Sequence, residues 1–131
     1  MDFRKNETFK SNNPRGHFIE KFISKHLKKS LVCQGIDIFW KRIPLEVKSS
    51  SVIKSSGSYF FHITNNHLSK YHIFVGLKDN LPTYFWVIPS NKKFLDSKNK
   101  YGISLPTTKE KGKIVYRKYI CSLEEIGKKI S

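Results

Sequence analysis

The chain has 131 residues, enough for one hydrophobic core, and its 38% hydrophobic and 14% aromatic content excludes a disordered tail. Its 25 Lys and Arg outnumber its 10 Asp and Glu, and the net charge of +15 makes nucleic acid the expected partner. No apolar run is long enough for a membrane span or a signal peptide, so we expect a cytoplasmic protein with no membrane partner.

The N-terminal region divides at Asn13 and Pro14. Residues 1–13 are polar and without periodicity, which indicates a flexible basic arm. Asn13 can cap a helix whose first residue is Pro14. Apolar residues then recur at helical spacing with lysines between them, and this pattern predicts a helix from Pro14 to Lys29. We expect residues 14–131 to form a single domain.

The middle of the chain changes to the alternating pattern of β-strands. Two or three strands are predicted between residues 31 and 50, with a turn at Lys41 to Pro44. A polar Ser- and Gly-containing connection follows, and then a strand at residues 59–64. A strand pair is predicted at residues 71–77 and 83–90, and the first strand of the pair is apolar enough to be covered on both faces.

The C-terminal part begins with a Lys-rich stretch, residues 91–113, which indicates an exposed segment that includes a strand near residues 101–105. Residues 113–120 alternate and predict another strand. Ser122 and Glu125 form the capping-box pattern of a terminal helix. This order of elements predicts an α/β or α+β domain built on one mixed sheet.

Two acids and one lysine are expected on one face of a hairpin. In GIDIFW, Asp37 points to the side of its strand opposite to its apolar neighbours, and in PLEVKSS, Glu46 and Lys48 do the same. Pairing the apolar faces of the two strands places all three polar side chains on the other face. Asp37 is then roughly opposite Lys48 and diagonal to Glu46.

Two carboxylates this close repel each other unless they share a cation. Mg²⁺, for which Mn²⁺ can substitute, is the expected cation because it prefers oxygen ligands and usually takes only one or two protein carboxylates. Lys48 beside it can orient a water and neutralise charge on phosphorus, which phosphodiester hydrolysis requires. The alternative is a surface salt bridge without function, since E-x-K tripeptides are common.

The segments RGHFIEKFI, GIDIFW and PLEVKSS resemble the PD-(D/E)XK nuclease superfamily in their order and spacing. The resemblance covers roughly residues 14–90 and implies an α/β fold with a restriction-endonuclease-like core, a mixed β-sheet flanked by helices. In the later segment FFHITNNHLSKYHIFVGL, His67 or Asn66 stands about where some members carry a polar residue. Ile36 departs from the family's name, which has Pro before the first acid, although many members also lack that Pro.

The resemblance also implies roles for individual residues. Asp37 matches the first motif acid, and Glu46 and Lys48 match the E-x-K pair. Glu20 matches the helix acid that assists metal or water binding. The implied metal ligands are therefore Asp37 and Glu46, with the Val47 carbonyl as a further ligand and Glu20 in support.

Four residues are candidate contacts to nucleic acid. His17 lies on the predicted helix, where it can touch a substrate phosphate. Ser49, Ser50 and Lys54 follow the E-x-K pair in a segment whose hydroxyl and amide donors can bind a DNA backbone. The equal alternative for this segment is a flexible, solvated loop.

These observations favour a Mg²⁺-dependent DNA endonuclease that cuts either a specific duplex site, as a restriction enzyme does, or a branched junction, as a resolvase does. Symmetric cutting of two strands needs two active sites, so we expect a homodimer. A non-catalytic basic DNA-binding protein on the same fold is the first alternative, but a decayed site should lack at least one of the acids or the lysine. A basic RNA-binding or ribosome-associated protein explains the charge and leaves the geometry as coincidence.

Overall fold

The computed structural model describes residues 14–27, 31–33, 36–54, 57–63, 69–95, 102–108 and 114–130. The predicted arm at residues 1–13 lies outside these ranges, as do Asn66 and His67. The helices of the described ranges are α1 (Pro14–His26), α2 (Ile114–Arg117) and α3 (Ile126–Lys129), with 3-10 turns at Lys93–Leu95 and Leu123–Glu125. The strands there are β1 (Leu31–Cys33), β2 (Ile36–Trp40), β3 (Ile43–Ser50), β4 (Tyr59–His62), β5 (Tyr71–Lys78), β6 (Leu81–Pro89), β7 (Gly102–Leu105) and β8 (Ile120–Cys121).

Six of the described strands form one mixed sheet in the order β1-β2-β3-β5-β6-β8. β3 and β5 run parallel, and the other neighbours in this sheet are antiparallel. The predicted mixed α/β architecture is therefore confirmed. The prediction of a single sheet is wrong, because β4 pairs with β7 in a separate two-stranded sheet.

The β2–β3 hairpin turns on only two residues, Lys41 and Arg42, whose φ angles are 50° and 66°. Two consecutive positive φ values are the mark of the type I′ turn, which matches the twist of antiparallel strands. Trp40 therefore pairs directly with Ile43. The predicted turn from Lys41 to Pro44 is two residues too long. The sequence did not indicate the shorter turn, because Lys-Arg lacks the Asn-Gly signature of type I′ turns.

Both faces of the central sheet are covered. On one face, α1 and α3 pack against Ile38, Leu45 and Ile73. On the opposite face, the β4–β7 sheet packs against Phe74 and Trp86. The central strand β5 is accordingly buried over almost its whole length, as its continuous apolar sequence predicts.

The first helix is shorter than its sequence pattern predicts. It ends at His26 rather than Lys29, and the Leu27 amide there donates to the Ser24 carbonyl at 3.1 Å in a tightened last turn. No helix in the described ranges is both long and apolar enough to cross a lipid bilayer.

The C-terminal region corrects one prediction and confirms another. Residues 113–120 were expected to form a strand, but their centre forms α2. The buried residues Tyr116 and Tyr119 are three positions apart, and the Tyr119 amide donates to the Tyr116 carbonyl at 3.2 Å in the turn that follows the helix. The terminal helix is confirmed, and the Ser122 amide donates to Oε1 of Glu125 at 2.9 Å, one half of the predicted capping box.

Candidate active site

Asp37 and Glu46 lie side by side where the pairing of β2 with β3 ends. The last backbone pair is Ile38 with Leu45, and the next position in this register sets Asp37 beside Glu46. The Val47 amide donates to Oδ2 of Asp37 at 2.8 Å, so a carboxylate takes the place of a strand carbonyl here. The two acids therefore share a face, as their alternation with apolar residues predicts.

Lys48 lies two residues beyond Glu46 on β3. Its predicted position opposite Asp37 is wrong, because the two-residue turn shifts the register and brings Glu46 to that position. Nζ of Lys48 lies 3.3 Å from Oε2 of Glu46, with the lysine side chain 23% and the glutamate side chain 10% exposed. The ammonium thus pairs with one acid of the Asp37–Glu46 pair at the edge of solvent.

A third carboxyl comes from α1. The Asp37 carboxyl hydrogen-bonds with Glu46, and the Glu20 carboxyl is next to Asp37. The three carboxyl groups and Lys48 line one pocket of about 260 Å³. The other residues that line it are Gly16, His17, Val47 and Ser49. The four side chains that the sequence singled out for chemistry therefore meet in one place.

Burial raises the pKa values of two of these carboxyls. For Asp37, desolvation is the main cause, and the hydrogen bond and charge of Glu46 add to it. The charge of Glu20 acts in the same direction and the Val47 amide opposes it, with the result that the pKa of Asp37 is about 8. Desolvation likewise raises the pKa of Glu20, against the opposing charge of His17. A proton on Asp37 at neutral pH thus reduces the repulsion among the three groups.

The oxygen donors of the pocket fit a hard divalent cation. Among the described residues, no three His, Cys, Asp or Glu side chains are arranged as a metal-holding group. Asp37 and Glu46 nevertheless supply the one or two carboxylates that Mg²⁺ usually takes from a protein, with water and phosphate oxygens as the other ligands. Val47 lines the pocket while its side chain packs against the core, as the alternation of β3 predicts.

Of the four predicted nucleic-acid contacts, two line the pocket and two lie outside it. His17 is exposed and lines the pocket, and Ser49 also lines it. Ser50 is buried, and its Oγ accepts a hydrogen bond from the backbone amide two residues on, at 3.0 Å. Lys54 is exposed, with Nζ 4.4 Å from the centre of the Phe60 ring. Ser50 and Lys54 therefore lie beyond the pocket lining.

Arg15 is a basic residue beside the pocket that the sequence patterns did not single out. Its guanidinium donates to Ser51 Oγ and to the Ser49 carbonyl, each at 3.4 Å. These contacts join the first turn of α1 to the end of β3. Its position in the sequence could have indicated it, because Arg15 precedes the candidate residue His17 by two residues in the first turn of the predicted helix.

His72 is a second residue near the site that was not predicted. In the parallel pairing of β3 with β5 it lies next to Glu46. The residue is 3% exposed, and its ring stacks on Phe74 with centroids 5.7 Å apart and has Nδ1 at 2.8 Å from Ser90 Oγ. Burial lowers its pKa to about 4, with the charge of Glu46 opposing this shift and that of Lys48 adding to it. The ring is therefore neutral at pH 7.

Comparison with known proteins adds no relative to this description. No protein-family model, no curated protein and no solved structure matches the chain.

Proposed function

We propose that this protein is a Mg²⁺-dependent DNA endonuclease of the PD-(D/E)XK type, built on the restriction-endonuclease-like core that its motifs resemble. The observation that carries the proposal is the meeting of Glu20, Asp37, Glu46 and Lys48 in one pocket at the end of the β2–β3 pairing. Adjacent carboxylates for a divalent cation and a neighbouring ammonium are the groups that hydrolysis of a phosphodiester uses.

In this proposal Asp37 and Glu46 hold the cation, with the Val47 carbonyl as a further ligand and Glu20 in support. When bound, Mg²⁺ lowers the pKa of a water and neutralises charge on the phosphate oxygens. In the free protein Asp37 keeps a proton. It must release that proton before its carboxylate can bind a cation, so metal affinity rises with pH.

Lys48 positions the attacking water and the scissile phosphate. In the free site its Nζ pairs with Glu46 at 3.3 Å. As a phosphate enters, the ammonium turns toward it and offsets the negative charge that builds up on the phosphate oxygens. Water adds to phosphorus, the bond to the leaving sugar oxygen breaks, and the proton lost by the water is balanced by one gained by the leaving oxygen.

The rest of the molecule supports DNA as the substrate. A net charge of +15 attracts a polyanion over its whole length. His17 and Ser49 at the pocket, and Ser50 and Lys54 beyond it, are the proposed contacts to the DNA backbone. We also propose that the enzyme works in the cytoplasm. It should act as a homodimer, because cutting both strands of a duplex or a branched junction requires two active sites.

Cleavage of matched linear and four-way-junction DNA, with Mg²⁺ and with EDTA, tests the proposal. The wild-type protein should cut at least one substrate with Mg²⁺ and neither with EDTA. Glu46→Ala should reduce cleavage at least about 100-fold, because it removes a metal ligand. Its DNA binding should hold or tighten, because a negative charge that faces the phosphate is gone.

Glu124→Ala is the matched control, because it removes an exposed carboxylate that does not line the pocket. This variant should cut DNA at the wild-type rate. A wild-type protein that binds DNA but cuts neither substrate with Mg²⁺ or Mn²⁺ would contradict the proposal. It would instead indicate a non-catalytic DNA-binding protein on the same fold.

A further inference from the structure

His72 carries a buried nitrogen that no group in the described part of the chain satisfies. Nδ1 lies 2.8 Å from Ser90 Oγ, whereas Nε2 is buried and has no hydrogen-bond partner. Buried polar atoms in native proteins are nearly always paired, because an unpaired one loses its contact with water without compensation. Nε2 is therefore available for a hydrogen bond with a neighbouring side chain.

Glu46 is the acid closest to His72 in the sheet. The parallel register places His72 beside Glu46 and Phe74 beside Lys48, and residues paired in this way have their side chains on the same face. Glu46 and Lys48 are also the two groups whose charges act on the imidazole. His72 does not line the pocket, so it can act on Glu46 from behind the pocket wall but cannot touch a substrate inside the pocket.

The proposed reaction changes the hydrogen bonding of Glu46. This residue is only 8% exposed, and Oε2 pairs with Lys48 at 3.3 Å. When Lys48 turns to the phosphate, a nearly buried carboxylate loses that partner. Carboxylates that hold metal ions are themselves oriented by hydrogen bonds from neighbouring groups, and the free nitrogen of His72 is beside this one.

We infer that His72 is a positioning residue that donates a hydrogen bond from Nε2 to the Glu46 carboxylate in the metal-loaded site, with Ser90 fixing the tautomer. The Ser90 hydroxyl donates to Nδ1, so that the single proton of the neutral ring lies on Nε2. Phe74, stacked against the ring, holds its plane. The inference rests on the proposed function, because it assigns Glu46 to a cation.

Titration calorimetry with Mn²⁺ on the full chain tests this role. His72→Leu removes the donor, and its Mn²⁺ affinity should fall about 10- to 100-fold. His72→Gln places an amide N–H near the position of Nε2 and should restore most of the affinity. In DNA cleavage, His72→Leu should lower kcat and leave KM unchanged, because His72 acts through Glu46 and not on the substrate. His62→Leu, at an exposed histidine of β4, is the control and should bind Mn²⁺ like wild type.

Nitrogen NMR of the metal-free wild-type protein provides a readout that does not depend on activity. The His72 ring should be the neutral Nε2–H tautomer, and Ser90→Ala should weaken this preference together with Mn²⁺ affinity. An Nδ1–H tautomer would overturn the inference, and so would His72→Leu protein that binds Mn²⁺ as tightly as wild type. If His72→Leu does not fold, the wild-type tautomer and the Ser90→Ala affinity decide the question. Wild-type protein that binds no Mn²⁺ would overturn the metal site and the role of His72 together.

Discussion

At the scale of single residues, the Asp37 carboxyl is subject to two opposing influences. The Val47 amide at 2.8 Å favours its charged form, whereas burial and the neighbouring acids Glu46 and Glu20 favour its protonated form. The second influence is the stronger one, because the pKa is about 8 against an ordinary value of 3.8. In the proposed function, a proton and a divalent cation thus compete for the same pair of carboxyl groups.

The contribution of Asp37 to the stability of the metal-free protein should therefore fall as pH rises from about 4 to about 8. Over this range the folded state keeps a proton on Asp37 that the unfolded chain releases, so the free energy of unfolding decreases with pH. Asp37→Asn removes this titration and keeps an oxygen acceptor for the Val47 amide. Thermal denaturation in EDTA at about pH 5, 7 and 9 should show a smaller fall for the variant and a higher Tm than wild type at pH 9. A variant less stable than wild type at pH 9 would contradict this.

Lys48→Ala should abolish cleavage and weaken DNA binding only slightly. The substitution removes the ammonium that the proposed function places next to the scissile phosphate, a loss of about 100- to 1000-fold in rate. It removes only one of 25 Lys and Arg residues from the field that attracts DNA. Single-turnover cleavage and fluorescence anisotropy on one DNA separate the two effects, and Lys78→Ala, at an exposed lysine of β5, is the control. Equal losses of binding and cleavage would make Lys48 a binding residue only.

Residues of the site could be predicted from the sequence where neighbouring positions in the chain determine their placement. Asp37 and Glu46 alternate with apolar neighbours on adjacent strands, and pairing the apolar faces of these strands places both acids on the other face. His72 could not be assigned in this way, because its position beside Glu46 depends on the register between β3 and β5. That register is set by packing of the whole sheet, which a single sequence does not encode locally.

At the scale of secondary-structure elements, the β2–β3 hairpin positions the acid pair. The apolar pattern predicts which side chains of the two strands share a face. It does not predict the turn length, because Lys41-Arg42 carries no turn signature. The β4–β7 pairing was missed for a related reason. Its strands lie far apart in the chain, and only the apolar cluster that they form with Phe74 and Trp86 brings them together.

Arg42→Gly should stabilise the protein by about 0.5–1 kcal/mol and leave cleavage unchanged. Arg42 has a φ of 66°, a left-handed conformation that costs a residue with a side chain about 1–2 kcal/mol. Glycine avoids this cost and loses only part of the gain through its freer unfolded state. Urea denaturation measures the difference, and Arg42→Val, which suits this φ even less than arginine, should be less stable than wild type. A destabilised Arg42→Gly would show that the native turn is unstrained.

At the scale of the whole molecule, the positive net charge and the acidic pocket act on a phosphate in opposite directions. In the proposed function, a net charge of +15 draws DNA toward the protein, yet the pocket would present Glu20, Asp37 and Glu46 to an incoming phosphate. In the proposed function, a bound divalent cation would resolve this conflict, because it would neutralise the carboxylates at the place where the phosphate arrives.

DNA affinity should accordingly fall steeply with salt. If 6 to 10 phosphates are contacted, affinity falls about 10³- to 10⁵-fold between about 50 and 200 mM salt, because each contact releases condensed counterions. Fluorescence anisotropy in EDTA measures this slope without cleavage. An affinity independent of salt would indicate a ligand other than nucleic acid.

The claim that carboxyl pair, cation and DNA meet in one pocket is tested most directly by anomalous diffraction from Mn²⁺ in a crystal of the protein with DNA. Lys48→Ala suits this experiment, because it keeps the proposed metal ligands and slows turnover about 100- to 1000-fold. The account predicts an anomalous peak about 2.0–2.3 Å from carboxylate oxygens of Asp37 and Glu46 and in contact with a phosphate oxygen of the DNA. A complex in which DNA lies away from this pocket, or in which Mn²⁺ binds elsewhere and Asp37 still hydrogen-bonds with Glu46, would contradict it.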